Sequence, residues 1–123
     1  LALECSLIYP RREVKEYGTK AAIEGVFEAG QTALVLDDLA TTGGSKFEAI
    51  DKLKAAGLNV RDVVVVIDRE QGAAQTLTEA GYRLHALITL TALLDALQAL
   101  GRIDAEQRSR VDAYLASQRE SGA

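Results

Sequence analysis

Apolar runs at three places in the chain predict buried β-strands, at residues 32–36, 63–67 and 84–89. The run at residues 63–67 is continuous and consists only of valine and isoleucine. Such a run is typical of a strand that is covered on both faces, as strands of parallel sheets usually are. The pattern therefore favours a central parallel sheet.

Amphipathic segments lie between the apolar runs and predict helices at residues 46–56 and 73–80. Gly57 and Gly81 mark their ends, because glycine readily closes a helix. The first helix has one apolar stripe, formed by Phe47, Ile50 and Leu53. Strands that alternate with helices in this way predict an α/β fold, with a parallel sheet, flanking helices and right-handed crossovers.

Two further helices are predicted in the C-terminal part, at residues 90–100 and 104–118. Asp104 and Gln107 have the spacing of a capping box at the start of the second helix. Each helix has an apolar stripe that we expect to pack into the core. The stripes consist of Leu90, Leu93, Leu94, Leu97 and Leu100 in the first helix and of Val111, Tyr114 and Leu115 in the second.

The N-terminal part combines two short predicted strands with a charged loop. Residues 7–9 predict a strand that ends at Pro10, and residues 21–27 predict another, followed by a turn at 28–30. Residues 11–19 are strongly charged and lack a helical or strand period. We therefore interpret them as a loop.

The composition is that of an acidic domain, or part of one, with 123 residues, of which 48% are hydrophobic and 26% charged. A net charge of −4 argues against general nucleic-acid binding, which usually requires a basic face. Residues 11–20 are a basic exception that suits a mobile acidic ligand. The longest apolar stretch, residues 84–100, is too short and too polar to span a membrane.

The strongest chemical signal is segment 33–45, in which an apolar strand ends in Asp37 and Asp38 and a short loop then opens a helix. In open α/β sheets, ligands bind at the carboxyl ends of the strands, where this loop must lie. Gly43 and Gly44 allow the backbone to approach a ligand closely, and its N–H groups form an anion cradle. Three hydroxyl groups add donors, those of Thr41, Thr42 and Ser45. The loop therefore suits a phosphate monoester.

The two acids require a different partner from the phosphate. Carboxylates suit hydroxyls, Mg²⁺ or a developing positive charge, and a sugar phosphate offers partners of these kinds on one molecule. The loop is not a Walker loop, because it lacks the Gly-Lys-Ser/Thr ending. A plain strand-to-helix connection is the alternative interpretation, but it leaves the two acids and three hydroxyls without a role.

Segment 33–45 resembles the phosphoribosyl-pyrophosphate signature of the type I phosphoribosyltransferases, which transfer ribose 5-phosphate to a nitrogenous base. The resemblance implies that Asp37 and Asp38 hold the ribose 2- and 3-hydroxyls and take part in catalysis. It also implies binding of phosphoribosyl pyrophosphate by the loop residues Leu39, Ala40, Thr41, Thr42, Gly43, Gly44 and Ser45.

Three further stretches narrow the resemblance to orotate phosphoribosyltransferases of the kind found in UMP synthases. Residues 11–20 resemble their mobile catalytic loop, residues 68–72 their orotate-binding turn, and residues 82–90 the strand that follows. The implied reaction joins orotate to phosphoribosyl pyrophosphate and gives orotidine 5-monophosphate and pyrophosphate. Mg²⁺ is the implied cofactor, carried by the pyrophosphate and not by direct protein ligands.

Arg69 is the implied ligand of orotate. Its planar guanidinium suits the orotate carboxylate, and the resemblance adds Thr41 as a second contact. Arg69 is expected just past the end of a strand, on the ligand edge of the sheet. A surface ion pair with Glu70 or Asp68 is the alternative interpretation of this arginine.

The charged loop at residues 11–19 would close over the active site of the partner subunit in a homodimer. Lys15 is the implied catalytic residue that stabilises the leaving group, and Arg11 and Arg12 would bind the pyrophosphate. Tyr17 stands where many bacterial members have histidine, and a phenol cannot replace imidazole as a near-neutral acid or base. We therefore assign Tyr17 only a hydrogen bond to the phosphates. A solvated charged loop is the alternative.

The resemblance divides the chain into a catalytic-loop region (residues 1–31), a phosphate-binding α/β core (32–89) and C-terminal helices (90–123). Family members have a portion before the segment that matches Leu1, so we expect weak or no activity from these residues alone. A single cysteine, Cys5, fits a cytoplasmic setting. Two rivals stay open: a phosphoribosyltransferase for another base, and a non-catalytic module that binds phosphoribosyl pyrophosphate.

Overall fold

A three-stranded parallel sheet forms the centre of the protein in the computed structural model, which describes residues 5–10 and 23–121. Its strands are β3 (Thr32–Ala40), β4 (Asn59–Asp68) and β5 (Arg83–Thr89), in the order β3-β4-β5. A second sheet pairs β1 (Tyr9–Pro10) with β2 (Ile23–Glu24) in antiparallel fashion. The predicted α/β class and the parallel pairing are confirmed.

Within the part of the chain that the structure describes, four helices accompany the strands: α1 (Gly44–Ala55), α2 (Ala73–Glu79), α3 (Leu90–Ala99) and α4 (Ala105–Ser121). Gly57 and Gly81 follow the first two helices with φ of 91° and 94°, in the left-handed conformation that ends a helix. The Gly57 N–H donates to the Lys54 carbonyl oxygen at 3.0 Å, and the Leu58 N–H donates to that of Leu53 at 3.1 Å. The predicted helix ends are thereby confirmed.

The core lies between one face of the sheet and the two helices α1 and α2. Ile50, Val63 and Leu77 are completely buried there, and each buried aliphatic side chain contributes about 1.5–3 kcal/mol to stability. Phe47 packs against the core from the predicted apolar stripe of α1. The other buried members include Val35, Leu53, Leu58, Val65 and Ala73.

The opposite face of the sheet is open within residues 5–10 and 23–121. Leu36 is 63% exposed and Leu87 is 78% exposed, and Val66 between them is also exposed. The strand order follows the chain order, and right-handed crossovers then place both α1 and α2 on the same face. The expectation that the run at residues 63–67 is covered on both faces is therefore wrong for the part of the chain described.

The C-terminal helices confirm the predicted capping box. The Gln107 N–H donates to Asp104 Oδ1 at 2.7 Å, and the Asp104 N–H donates to Gln107 Oε1 at 2.9 Å. The predicted apolar stripes are only partly correct: Leu94 and Leu115 are buried, whereas other members, including Leu100 and Tyr114, are exposed. The two helices do not pack deeply against the core, which explains the difference.

Within the described residues, β1 begins at Tyr9 and β2 ends at Glu24, before the predicted strand end at residue 27. Gly25 ends the second one with φ of 117°, and a Cβ there would lie 2.5 Å from Ile8 Cγ2, so the position requires glycine. The predicted loop at residues 11–19 lies outside the described residues. No helix in the described ranges is long and apolar enough to cross a membrane.

Candidate functional site at the carboxyl edge of the sheet

The carboxyl ends of the three parallel strands lie side by side. Ala40 pairs with Asp68 across β3 and β4, and Asp68 pairs with Thr89 across β4 and β5. The loop after β3, the turn after β4 and the start of α3 after β5 therefore meet at one edge. This is the edge at which open α/β sheets bind their ligands.

The loop after β3 has the geometry that anion binding requires. Gly43 caps α1 with φ of 95°, and no side chain caps the helix there. Because Gly43 lacks a side chain, the first N–H groups of α1 have no competing cap, and the helix dipole favours a negative group at this point. Thr42, Gly44 and Ser45 are exposed, whereas Gly43 is buried, so the loop is partly open to solvent.

Backbone hydrogen bonds tie this loop to the next turn. The Arg69 N–H donates to the Ala40 carbonyl oxygen at 2.9 Å, and the Ala73 N–H donates to the Thr41 carbonyl oxygen at 3.2 Å. The side chain of Ala40 is itself buried, so only its backbone is available at the site. The structure thus places the backbone of Arg69 beside the backbone of the loop after β3.

The turn after β4 has a fixed conformation. The Glu70 N–H donates to Asp68 Oδ1 at 2.8 Å, and Glu70 itself adopts the left-handed conformation with φ of 60°. Glu70 Oε1 accepts the Thr91 N–H at 2.9 Å and so connects the turn to α3. Arg69 is half-buried, and among the described residues no carboxylate forms an ion pair with its guanidinium. The alternative of a surface ion pair with Glu70 or Asp68 is therefore wrong.

Asp37 and Asp38 end up on opposite faces of β3, because successive side chains of a strand alternate. Asp38 is exposed on the open face, whereas Asp37 faces α1 with 46% of its side chain exposed. Asp37 Oδ1 accepts the Asp38 N–H at 2.8 Å, and Oδ2 accepts a hydrogen bond from Lys46 Nζ at 2.5 Å. The hydrogen bond from Lys46 is the main cause that lowers the pKa of the Asp37 carboxyl group.

Lys46 is the residue of this region that the sequence analysis missed. It lies in the first turn of α1, is buried to 3% exposure, and donates a second hydrogen bond to the Leu39 carbonyl oxygen at 2.9 Å. Its position four residues before Ile50 and seven before Leu53 puts it on the buried stripe of the helix. A lysine on an apolar stripe is a signal for a buried ion pair, and that signal was present in the sequence.

Several predicted site residues cannot be compared with the structure. Arg11, Arg12, Lys15 and Tyr17 lie outside the described residues, and their roles stay predictions. The described part contains no group of three or more His, Cys, Asp or Glu residues that could hold a metal ion. Within that part, Asp37 and Asp38 are the acids nearest to the phosphate loop in sequence.

The comparisons with known proteins agree with this geometry. No family model matches the sequence. The chain is 49% identical over 107 residues to the bifunctional enzyme PyrF/PyrE of Nostoc sp., and the match covers 87% of this chain and 22% of that protein. It is 40% identical over 114 residues to the orotate phosphoribosyltransferase of Cenarchaeum symbiosum, with 91% of this chain and 57% of that protein covered. Over the part that it spans, the chain is a homologue of orotate phosphoribosyltransferases and of bifunctional enzymes that contain one.

Solved structures of orotate phosphoribosyltransferases and UMP synthases have the same fold. The structure of Leishmania donovani UMP synthase matches with a TM-score of 0.83 and 40% identity, over 94% of this chain and 25% of that one. Orotate phosphoribosyltransferase from Mycobacterium tuberculosis, solved in complex with 5-phospho-alpha-D-ribosyl 1-diphosphate, matches with a TM-score of 0.54 and 37% identity, over 58% of this chain and 44% of that one. The chain spans between about a fifth and somewhat more than half of the curated relatives described above.

Proposed function

We propose that this chain forms the phosphate-, ribose- and orotate-binding part of an orotate phosphoribosyltransferase. The enzyme would transfer ribose 5-phosphate from phosphoribosyl pyrophosphate to orotate, giving orotidine 5-monophosphate and pyrophosphate. The observation that carries the proposal is the backbone hydrogen bond from the Arg69 N–H to the Ala40 carbonyl oxygen, which holds the turn that carries the half-buried Arg69 beside the loop that leads to the glycine-rich start of α1. Relatives with this activity in their names at 40% identity support it.

The 5-phosphate would bind at the start of α1. Backbone N–H groups at Gly44 and Ser45, with the hydroxyls of Thr41, Thr42 and Ser45, would donate to the phosphate oxygens, since no side chain caps the helix at Gly43 within the described residues. The negative phosphate would also interact favourably with the helix dipole. Leu39, Ala40 and Gly43 would shape the loop through their backbone.

The ribose hydroxyls would donate to Asp37 and Asp38. Both carboxylates are at least partly exposed at the end of β3, a short distance along the chain from the phosphate loop. Hydroxyl groups of a sugar that is anchored by its phosphate would therefore reach them. The negative charge of these acids would also favour the oxocarbenium character that develops when the bond at the sugar C1 breaks.

Orotate would bind between Arg69 and Thr41. A guanidinium can donate two parallel hydrogen bonds to a carboxylate. Arg69 has no competing ion-pair partner among the described residues. This contact would distinguish orotate from bases that carry no carboxylate. It is the reason for preferring orotate to another base.

The leaving pyrophosphate would be neutralised by cations. Lys15, Arg11 and Arg12 would supply positive charge, and Tyr17 would add a hydrogen bond, from the loop at residues 11–19. Mg²⁺ would arrive bound to the pyrophosphate and supply further positive charge. No covalent nucleophile is needed in this scheme.

The assembly would be a cytoplasmic homodimer in which the loop at residues 11–19 reaches the site of the partner subunit. A chain of 123 residues that spans part of its relatives would then supply only some of the groups that turnover requires. We expect weak or no turnover from these residues alone. Binding is consequently a sharper test than catalysis.

Calorimetric titration tests the proposal. The chain is titrated with phosphoribosyl pyrophosphate and Mg²⁺, first alone and then with orotate or a purine base added. Binding of the sugar pyrophosphate together with selective binding of orotate supports the proposal. Binding of the sugar pyrophosphate without any base favours a non-catalytic module, selective binding of the purine favours an enzyme for another base, and absence of binding contradicts all three.

A further inference from the structure

Lys46 is a buried cation next to the proposed ribose site. It is 3% exposed and shares the buried stripe of α1 with Ile50 and Leu53. An ammonium group that leaves water is strongly destabilised unless it gains a close anionic partner and further hydrogen bonds. Its position in the core therefore requires an explanation.

Two oxygen atoms from the end of β3 supply those partners. Lys46 Nζ lies 2.5 Å from Asp37 Oδ2 and 2.9 Å from the Leu39 carbonyl oxygen. The other carboxylate oxygen of Asp37 accepts the Asp38 N–H at 2.8 Å. The carboxylate is thus held at both oxygens, although nearly half of the side chain is exposed. Each oxygen keeps a lone pair for another donor.

We propose that Lys46 is a positioning residue, which acts through Asp37 by fixing its carboxylate in one orientation and in the ionised form for the ribose hydroxyls. The inference rests on the function proposed above and deepens it at the same site. Lys46 would not touch the sugar, because its ammonium group is enclosed by α1 and β3. It would make the two neighbouring acids unequal: Asp37 is held rigidly on the helix side, whereas Asp38 is exposed on the open face.

The charged surroundings of Asp37 support this role. Lys46 approaches it from α1, Asp38 is its neighbour on the same strand, and β4 presents the neutral Val65 at the paired position. Of these groups, only Lys46 is a cation. The hydrogen bond from Lys46 lowers the pKa of the Asp37 carboxyl group, so removal of Lys46 should allow Asp37 to take up a proton at a higher pH.

Ribose 5-phosphate is a suitable probe, because it carries the phosphate and the hydroxyls but needs no contact with residues 11–19. Lys46→Met removes the ammonium group at nearly constant volume. Lys54→Met is the matched control, since Lys54 is exposed on the same helix and donates to the Tyr82 hydroxyl instead. Circular dichroism and thermal unfolding establish that each variant is folded, and calorimetry then measures the affinity at a series of pH values.

We expect Lys46→Met to weaken binding of ribose 5-phosphate by about tenfold near neutral pH. The loss of affinity in acid should also begin at a higher pH than in the wild type, whereas Lys54→Met should behave like the wild type in both respects. The pH at which affinity is lost in acid, called here the acid limb, is the decisive readout, because a purely structural role of Lys46 would not change it. The phosphate of the ligand also takes up a proton in acid, but this affects all variants equally and so does not alter the difference between them.

Folded Lys46→Met with wild-type affinity and an unchanged acid limb would overturn the positioning role while the proposed function stands. A wild-type chain that binds neither ribose 5-phosphate nor phosphoribosyl pyrophosphate would overturn both. If Lys46→Met does not fold, a nuclear magnetic resonance titration of the Asp37 carboxyl carbon in the wild type decides the question. A pKa in the ordinary aspartate range there would also contradict the proposal.

Discussion

The Arg69 N–H donates a hydrogen bond of 2.9 Å to the Ala40 carbonyl oxygen, and this bond joins two loops that are far apart in the sequence. One loop would hold the sugar phosphate, and the other would hold the base. Because the bond runs between backbone atoms, a change of the Arg69 side chain leaves it in place. The guanidinium can therefore be removed without moving the phosphate loop.

Arg69→Ala should weaken orotate binding by about tenfold to a hundredfold, since a charge-assisted hydrogen bond contributes about 1.5–3 kcal/mol. The affinity for phosphoribosyl pyrophosphate should change little. Calorimetric titration with each ligand measures the two effects. Arg83→Ala is the matched control, because Arg83 is exposed at the other end of the sheet, where β5 begins. Equal losses for both ligands would favour a base other than orotate.

Gly43→Ala should destabilise the protein by about 1–2 kcal/mol, because its φ of 95° is unfavourable for any residue with a Cβ atom. Steric conflict with the rest of the protein is not the cause, because the nearest such atom to this Cβ would be Ala73 Cα, at an ordinary 3.5 Å. Chemical denaturation of the two chains measures the difference in the free energy of unfolding.

Gly44→Ala serves as the control for backbone strain. Gly44 has no positive φ, and a Cβ there would meet no atom within 4 Å. Alanine is also the better helix former, so stability should stay the same or rise by up to about 1 kcal/mol. A loss of stability at Gly44 as large as that at Gly43 would show that the left-handed conformation is not the cause.

Asp37→Asn should destabilise the fold by about 2 kcal/mol, because it leaves the buried ammonium group of Lys46 without an anionic partner. Asp38→Asn should change stability by less than about 0.5 kcal/mol, since Asp38 is exposed. The two substitutions are chemically the same and adjacent in the chain. Thermal unfolding measures the loss of stability in each variant, and equal losses would contradict the expectation.

The same ion pair predicts a dependence of stability on acid. The pKa of the Asp37 carboxyl group is lowered in the folded protein, so its contribution is complete above the ordinary aspartate pKa. That contribution should decline as the pH falls through the lower folded pKa. The free energy of unfolding, measured over an acidic pH series, should therefore fall less steeply with pH for Asp37→Asn than for the wild type. An equal decline in the two proteins would refute this account.

Asp104→Ala should lower the stability of α4 by about 1 kcal/mol, because Asp104 Oδ1 accepts the Gln107 N–H at 2.7 Å. Glu106→Ala is the control, since Glu106 is an exposed acid in the first turn of the same helix. Both variants lose a favourable charge at the helix start, and only the first loses the cap. Unfolding followed by circular dichroism should show that Asp104→Ala is less stable than Glu106→Ala by most of this difference of about 1 kcal/mol.

Local signals predicted much of this fold correctly from the sequence. Signals that act through contacts within a few residues can be interpreted from the sequence alone. The helix ends at Gly57 and Gly81 and the capping pair Asp104–Gln107 are of this kind. The strand before the phosphate loop was predicted too short, because Asp37 and Asp38 are poor strand formers in isolation. In the folded protein, pairing with β4 extends that strand to Ala40.

Long-range features were harder to predict. The side of the sheet on which α1 and α2 pack depends on the order of the strands. The apolar run at residues 63–67 carries no information about that order. The partnership of Lys46 with Asp37 spans nine residues and depends on how α1 lies against β3. The exposure of Leu100 and Tyr114 likewise reflects the placement of α3 and α4 and not their own periodicity.

The agreement between strand order and chain order also has a consequence for biosynthesis. A ribosome releases β3, α1 and β4 in succession, and each can pack on its predecessor without waiting for a distant segment. The phosphate loop and its lysine anchor are therefore complete once β4 has emerged. β5 and α3 follow later in the chain and complete the edge through the hydrogen bond from the Thr91 N–H to Glu70.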